Sequence, residues 1–267
     1  MSDEKHLNSS FAEKVLALRR RLQGLESAVV AFSGGVDSAL LTVVAFEELK
    51  DRMIAILGVS PSVPQRDRRA ARAFCERRMI PFQEINTEEF RDPQYLANPH
   101  NRCFFCKQSL YQLLRQFADK NGYHAVIDGT NISDISGHRP GREAARKEGV
   151  LEPFIEVGFT KDDIRTSARE LQLEMADKPA MACLASRVET NIPVVPELLV
   201  RIDDAENFLR DLGCQQVRVR HHGVIARIEV PVDEMEHLFH FRNQIIEKFR
   251  LLGWQRISLD LQGYGVR

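Results

Sequence analysis

Short apolar runs alternate along the first two thirds of the chain with stretches whose apolar residues recur every three or four positions. Residues 9–24 carry Phe11, Val15, Leu18 and Leu22 at helical spacing. The apolar stretch SAVVAF that follows reads as a strand covered on both faces. Similar runs at 54–59 and 124–128, and a more polar one at 82–86, predict further strands. Helices are expected at 38–49, 65–79 and 107–120, and again at 161–171, where Thr160 suits an N-cap and carboxylates fill the first turn. Strands alternating with helices predict an α/β fold, a doubly wound parallel sheet.

The pattern changes after ADKPAMACLASRVETNIPVVP. From Pro196 onward it predicts helix (197–212), strand (216–220), a turn at HHGV, strand (226–230), helix (232–251) and strand (256–261). That is a small C-terminal α+β block. The expected division is 1–187 and 188–267.

Composition narrows the function class. The chain has 267 residues, 43% hydrophobic and 28% charged, with a net charge of −1. Such a balance argues against a nucleic-acid binder. No apolar run is long enough to span a bilayer, and the opening MSDEKHLNSS lacks the apolar core of a secretion signal. A cytoplasmic, non-membrane protein is expected. In that setting the five cysteines read as thiols or ligands rather than a disulfide frame.

The predicted first strand runs into S33-G-G-V-D-S38 and then into a helix. Glycines at 34 and 35 permit positive φ and close approach, and a helix N-terminus points its amides at an anion. This is phosphate-binding chemistry, yet the lysine of a Walker loop is missing. The plainer alternative is an ordinary strand-to-helix turn.

Cys103 and Cys106 in N101-R-C-F-F-C-K107 stand three apart, so a helical turn would face both thiols to one side. Arg102, Lys107 and the helix N-terminus are expected to favour their thiolates. With Cys183, in P179-A-M-A-C-L-A-S-R187, they could ligate three irons of a [4Fe–4S] cluster. With His100 they could instead form a closed Cys₃His zinc site, or remain unliganded thiols. Cys75 and Cys214 read as core residues.

S33-G-G-V-D-S38 resembles the pyrophosphate loop of the N-type ATP pyrophosphatases, the PP-loop group. The resemblance implies that ATP is split between its α- and β-phosphates, with residues 33–38 holding pyrophosphate and Asp37 helping to hold Mg²⁺. Ser60 at the end of the second strand, and Gly129 and Thr130 in D128-G-T-N-I-S-D134, fall where that group places its nucleotide. G137-H-R-P-G-R142, D177-K-P-A-M-A-C-L-A-S-R187 and S258-L-D-L-Q-G-Y264 extend the likeness to the LarE family of ATP-dependent sulfur transferases.

That resemblance implies adenylation of a carboxylate of pyridinium-3,5-biscarboxylate mononucleotide, then its conversion to a thiocarboxylate during nickel-pincer nucleotide biosynthesis. In one branch a cysteine matching Cys183 gives up its own sulfur; in another, three cysteines hold a [4Fe–4S] cluster. Cys103, Cys106 and Cys183 place this chain with the second. The family also implies a homo-oligomer. For the substrate's phosphate the expected partners are Arg187, after the CLAS loop, and Arg218 and Arg220, which alternate with valines on one strand face. Glu189 and Glu229 are candidates to orient those arginines or bind metal. Arg139 and Arg142 could reach ATP or lie on a loop surface. Two rivals stay open: a PP-loop tRNA thiolase, which would need a basic RNA surface, and a non-enzymatic nucleotide- or metal-binding sensor.

Overall fold

The computed structural model describes residues 10–135, 140–178 and 182–265. Residues 136–139, which include Arg139, and 179–181 of the DKPAMACLASR stretch lie outside the described residues, as do 1–9, 266 and 267. The chain forms two compact units. One comprises residues 1–60, 66–89 and 101–181; the other comprises 61–65, 90–100 and 182–267.

The first unit opens with α1 (Phe11–Gln23), whose N-cap Ser10 and Glu13 form a capping box. It continues through β1 (Ala28–Ala31), α2 (Val36–Leu49), β2 (Met53–Val59), α3 (Gln65–Arg77), β3 (Phe82–Asn86), α4 (Arg102–Asn121), β4 (Ala125–Ile127), α5 (Pro140–Lys147) and α6 (Lys161–Glu170). The sheet runs β3-β2-β1-β4, all parallel, with Val29 opposite both Ile54 and Val126. Successive strand residues point to opposite faces. Ala28, Val30, Ala55, Leu57 and Ile127 therefore pack with Leu18, Leu40, Phe74 and Ile164. Val29, Ala31, Ile56 and Val126 pack with Tyr111, Leu114, Ala118 and Ala144 of the other layer. The expected helix-covered parallel α/β sheet is present.

The chain steps outward from β1 to β2 and β3, then returns to the opposite side of β1 as β4. Ligands of such sheets bind at that switch, beyond the C-terminal ends of the strands. β1 and β4 deliver SGGVDS and DGTNISD to this point. Two helix starts differ from expectation. α2 begins at Val36 rather than 38, and α4 at Arg102 rather than 107. Cys and Phe are indifferent helix formers, so the first turns of α4 carry no sequence signal. Packing of Phe104 on the sheet layer supplies what propensity does not.

The second unit contains α7 (Pro196–Asp211), β5 (Arg218–His222), β6 (Ile225–Glu229), α8 (Met235–His240), α9 (Arg242–Leu251) and β7 (Arg256–Leu259). β5 and β6 pair antiparallel, and β6 and β7 pair parallel. β5 lies two residues later than expected because Gly223, at φ 61°, makes the turn and draws both histidines of HHGV into the strand. The expected helix over 232–251 is broken, with Phe241 between α8 and α9. Cys75 and Cys214 are buried, and burial pushes their thiols up, to about 12 and about 11.

Candidate active site

The loop between β1 and α2 is knitted by its own serines. Ser38 Oγ accepts the Ser33 amide at 3.1 Å, shares a hydrogen bond with Ser33 Oγ at 3.0 Å and donates to the Gly35 carbonyl at 3.1 Å. Gly34 needs glycine, since its φ is 81°. Gly35 does not: its φ is −73°, and an added Cβ would meet only Ser33 Oγ, at 3.5 Å. Of the two glycines expected to supply positive φ, only Gly34 does so. As N-cap of α2, Gly35 offers no side-chain acceptor to the first-turn amides. Those amides are left for an anion to satisfy.

Gly129, expected to approach the nucleotide, also lets two protein segments touch. A Cβ there would sit 3.0 Å from the backbone of Asp37 and Ser38. Thr130 donates its amide to Asp128 at 2.7 Å, and its hydroxyl bonds the same carboxylate oxygen. The Tyr111 hydroxyl donates to the other Asp128 oxygen at 2.5 Å, and Lys107 Nζ approaches it at 3.2 Å. Burial alone would raise the pKa of Asp128, but Lys107, Thr130 and Tyr111 outweigh it and the carboxyl titrates below its usual range. Burial likewise opposes the charge of Lys107, which Tyr111 and Asp128 nevertheless hold above the ordinary lysine value. Lys107, expected to act on the cysteine thiols, spends its ammonium on this buried network. The network ties α4 to the loop after β4.

Asp37, the second residue of α2, takes Lys161 Nζ on both carboxylate oxygens at 2.7 Å. Burial dominates and raises the Asp37 pKa, with Lys161 opposing it. Both side chains keep about a third of their surface open, 31% for Lys161 and 29% for Asp37. A cation therefore already stands on this carboxylate. The donor chemistry and access fit a hard divalent ion such as Mg²⁺ in its place. Ser60 follows directly on β2, half-buried.

Cys103 and Cys106 occupy the first turns of α4, exposed and half-exposed respectively; Cys183, in the second unit, is exposed. None of the three is in a disulfide. Exposed thiols suit iron or zinc as donors. Among the described residues, no group of three or more Cys, His, Asp or Glu side chains is gathered to hold a metal. No helix among them is long and apolar enough to cross a membrane.

The three arginines expected to meet the substrate, Arg187, Arg218 and Arg220, divide sharply. Arg187 is buried, its Nε 2.9 Å from Glu206, and it donates to the carbonyls of Ala182 at 2.5 Å and Cys183 at 2.9 Å. Its guanidinium thus shapes the loop that bears Cys183. Burial raises the Glu206 pKa, but Arg187 and then Arg210 overcome it and the net shift is downward. Arg220 is held by Glu229 through bonds of 2.9 and 3.0 Å and by the Ser186 carbonyl at 2.9 Å. Glu229 also accepts Arg227 at 3.0 Å. Arg218 has no carboxylate partner among the described residues. It donates to the Val217 carbonyl at 3.2 Å and lies 5.2 Å from the centre of the Tyr264 ring. Glu189 pairs with His222 at 3.0 Å, and Arg142 with Glu152 at 3.1 Å.

Sequence reasoning missed Lys161 as a partner of the loop, Tyr111 and Asp128 as its support, and Glu206 and Tyr264. One signal was present. A lysine at the first position of a helix opposes the helix dipole, which is reason to ask what negative group it faces.

A parallel sheet with a glycine loop at its switch point and an uncapped helix behind it defines an α/β protein of the PP-loop class. A family model for NAD synthase matches residues 11–98. The chain is 30% identical over 257 residues to the pyridinium-3,5-bisthiocarboxylic acid mononucleotide synthase of Lactiplantibacillus plantarum, covering 96% of this chain and 93% of that one. It is 38% identical to an uncharacterised Synechocystis protein over 94% of both chains. It is 28% identical to one from Methanocaldococcus jannaschii over 95% of this chain and 98% of the other. The chain belongs to the LarE family, that of the Lactiplantibacillus synthase.

Proposed function

We propose that this protein is an ATP-using sulfurtransferase that adenylates a carboxylate of pyridinium-3,5-biscarboxylate mononucleotide and converts it to a thiocarboxylate for a nickel-pincer cofactor. The observation that carries the reading is the open N-terminus of α2 behind Gly34 and Gly35, with Asp37 in its first turn. Family membership supplies the substrate class.

ATP lies with its β- and γ-phosphates on Ser33, Gly34, Gly35 and Ser38, and its adenosine toward Ser60, Gly129 and Thr130. Asp37 would hold Mg²⁺, whose charge would offset that developing on the departing phosphates. A substrate carboxylate oxygen attacks the α-phosphorus, the α–β bridge breaks, and pyrophosphate stays on the loop. A sulfur nucleophile at or near Cys183 then adds to the acyl carbonyl and expels AMP. The chain's contribution is positioning and charge neutralisation. Arg218 meets the substrate phosphate, Glu229 fixes Arg220 beside it, and Arg187 holds the loop of Cys183. A [4Fe–4S] cluster on Cys103, Cys106 and Cys183 would supply a renewable sulfide. Residues 1–187 act as the ATP pyrophosphatase domain, and 188–267 serve substrate binding and assembly into a homo-oligomer.

The test is anaerobic incubation of full-length protein with ATP, Mg²⁺ and the biscarboxylate nucleotide. Substrate-dependent release of AMP and pyrophosphate, with sulfur in the product by mass spectrometry, is expected; nucleotide binding without pyrophosphate release would refute it. Iron and acid-labile sulfide in the protein, with Cys183 unchanged in mass after turnover, is the result expected for the cluster. Loss of the mass of H₂S from Cys183 would assign a sacrificial donor instead.

A further inference from the structure

The peptide that joins Cys183 to Leu184 is clamped at both ends, while the thiol beside it stands exposed. Its carbonyl accepts the Ser186 amide at 3.0 Å, the Ser186 hydroxyl at 2.8 Å and Arg187 at 2.9 Å. Those donors belong to one short turn, Leu184–Arg187. The other end depends on a distant segment, for the Leu184 amide donates to the Ser62 carbonyl at 2.8 Å. A peptide group is planar, so holding both ends fixes the plane from which the Cys183 side chain departs. Ser62 lies between β2 and α3 and so takes no support from a strand or a helix. Its support is Tyr95: the two hydroxyls share a hydrogen bond of 2.6 Å, and the residues are 3% and 1% exposed. Tyr95 sits in a short helix, Pro93–Leu96, that Asp92 caps, and Phe90 meets its ring edge-on at 5.1 Å. The chain that follows is fastened downstream of Cys183. Asn98 Nδ2 donates to the carbonyls of Glu189 and Ile192, both at 2.9 Å, and the Leu96 carbonyl accepts the Val194 amide at 2.9 Å. A phenylalanine ring would occupy the space of Tyr95, so packing does not explain a buried hydroxyl there.

We propose that Tyr95 and Ser62 are positioning residues for Cys183. Tyr95 holds Ser62, the Ser62 carbonyl holds the Leu184 amide, and the clamped peptide presents the thiol in one direction. These contacts lie wholly within the second unit, residues 61–65, 90–100 and 182–267. They therefore bear on sulfur delivery rather than on the pyrophosphate loop of the first unit. The inference rests on the reading of Cys183 as the place of sulfur transfer. It adds that the orientation of that cysteine is set from outside its own loop, by a buried pair of hydroxyls.

Tyr95→Phe in full-length protein keeps the ring and removes the hydroxyl. Hydrogen exchange read by mass spectrometry is expected to quicken about tenfold at residues 183–188, as when a buried hydrogen bond is lost and its partner left unsatisfied. Peptides from β1 and β2 should keep wild-type rates. With ATP, Mg²⁺ and the biscarboxylate nucleotide, pyrophosphate release is expected to stay within about twofold of wild type. Sulfur incorporated per pyrophosphate released should fall about tenfold or more, the cost of a misplaced reacting group. Ser62→Ala should act in the same way, and Ser62→Thr should retain most of the sulfur incorporation. Tyr95→Phe combined with Ser62→Ala should be no worse than either change alone, since one bond is lost in all three. A purely structural role would lower pyrophosphate release and sulfur incorporation together, and that result overturns the proposal. Unaltered exchange at 183–188, or additive losses in the double variant, overturns it as well. Wild-type protein that yields no sulfur product refutes the reading of Cys183 and this inference with it, whereas an active wild type with unaltered variants refutes the inference alone.

Discussion

Two ion pairs, one in each unit, join residues far apart in the chain, and they have opposite characters. Arg187 and Glu206 are sealed, with side-chain exposures of 2% and 0%, and the guanidinium donates to Glu206, Ser186 Oγ and the carbonyls of Ala182 and Cys183. Lys161 and Asp37 meet at a comparable distance but stand partly in water, next to helix amides that the N-cap glycine leaves without a side-chain acceptor. A sealed pair cannot exchange partners without exposing a buried charge, so it is frame. An open pair can give up one member to a ligand at small cost. The difference sorts charged residues that look alike in sequence.

The sealed pair should give the largest response. Arg187→Met leaves buried Glu206 with Arg210 and the Val219 amide, and breaking such a pair costs about 3–5 kcal/mol. In a chain of this size that corresponds to a fall in melting temperature of very roughly 10 °C, measurable by calorimetry. Because Arg187 also holds the carbonyls of Ala182 and Cys183, sulfur transfer should drop while ATP binding in the first unit persists. Equal loss of both would make Arg187 no more than a global prop.

The open pair should behave in the reverse way with pH. Glu206 has its pKa lowered in the fold, so its contribution is present above the ordinary glutamate range and is lost as pH falls through the depressed value. Asp37 has its pKa raised, so its contribution is greatest below the ordinary aspartate range and is lost as pH rises through the elevated value. Asp37→Asn should therefore melt at or above wild type at neutral pH, while pyrophosphate release falls about a hundredfold or more, in line with removal of a charge-stabilising group. A marked fall in melting temperature in this variant would put Asp37 with the frame. Acid titration of wild-type stability, followed by circular dichroism, should show the Glu206 loss on the low-pH limb.

What the sequence made legible follows the same division. Backbone chemistry leaves a local signature, so strand and glycine loop could be read from SGGVDS and the helix start to within two residues, and the alternation of apolar runs with helical segments was enough for the parallel sheet. Side-chain chemistry assembled over long separations leaves little, for Lys161 only its place at a helix start. Nothing near Asp37 announces Lys161, and nothing in ASRVET distinguishes a buried Arg187 from one facing a ligand. Gly129 shows a subtler gap: the glycine was noticed, but its use, close contact with the backbone of residues 37 and 38, appears only in three dimensions. The first turns of α4 were read short because their helicity comes from Phe104 packing rather than from propensity.

Arg218 offers the finest test of the rule that an open cation is a site. Among the described residues it meets no carboxylate, but the Val217 carbonyl and the face of Tyr264. The backbone that carries the ring is tied down, because the Tyr264 amide donates to the Val230 carbonyl at 2.9 Å and the preceding Gly263 adopts φ 85°, where a Cβ would stand 2.9 Å from Val232. A stacked guanidinium keeps its in-plane donors free for a phosphate. Cation–π support is worth about 0.5–1 kcal/mol at a partly exposed site, so Tyr264→Leu should raise KM for the nucleotide substrate by about two- to fivefold with little change in kcat. In an Arg218→Gln background the same change should have no further effect, since the platform then has no cation to hold. An equal rise in both backgrounds would show that Tyr264 acts on the substrate directly, and Arg218 would lose its claim to be the residue that the ring serves.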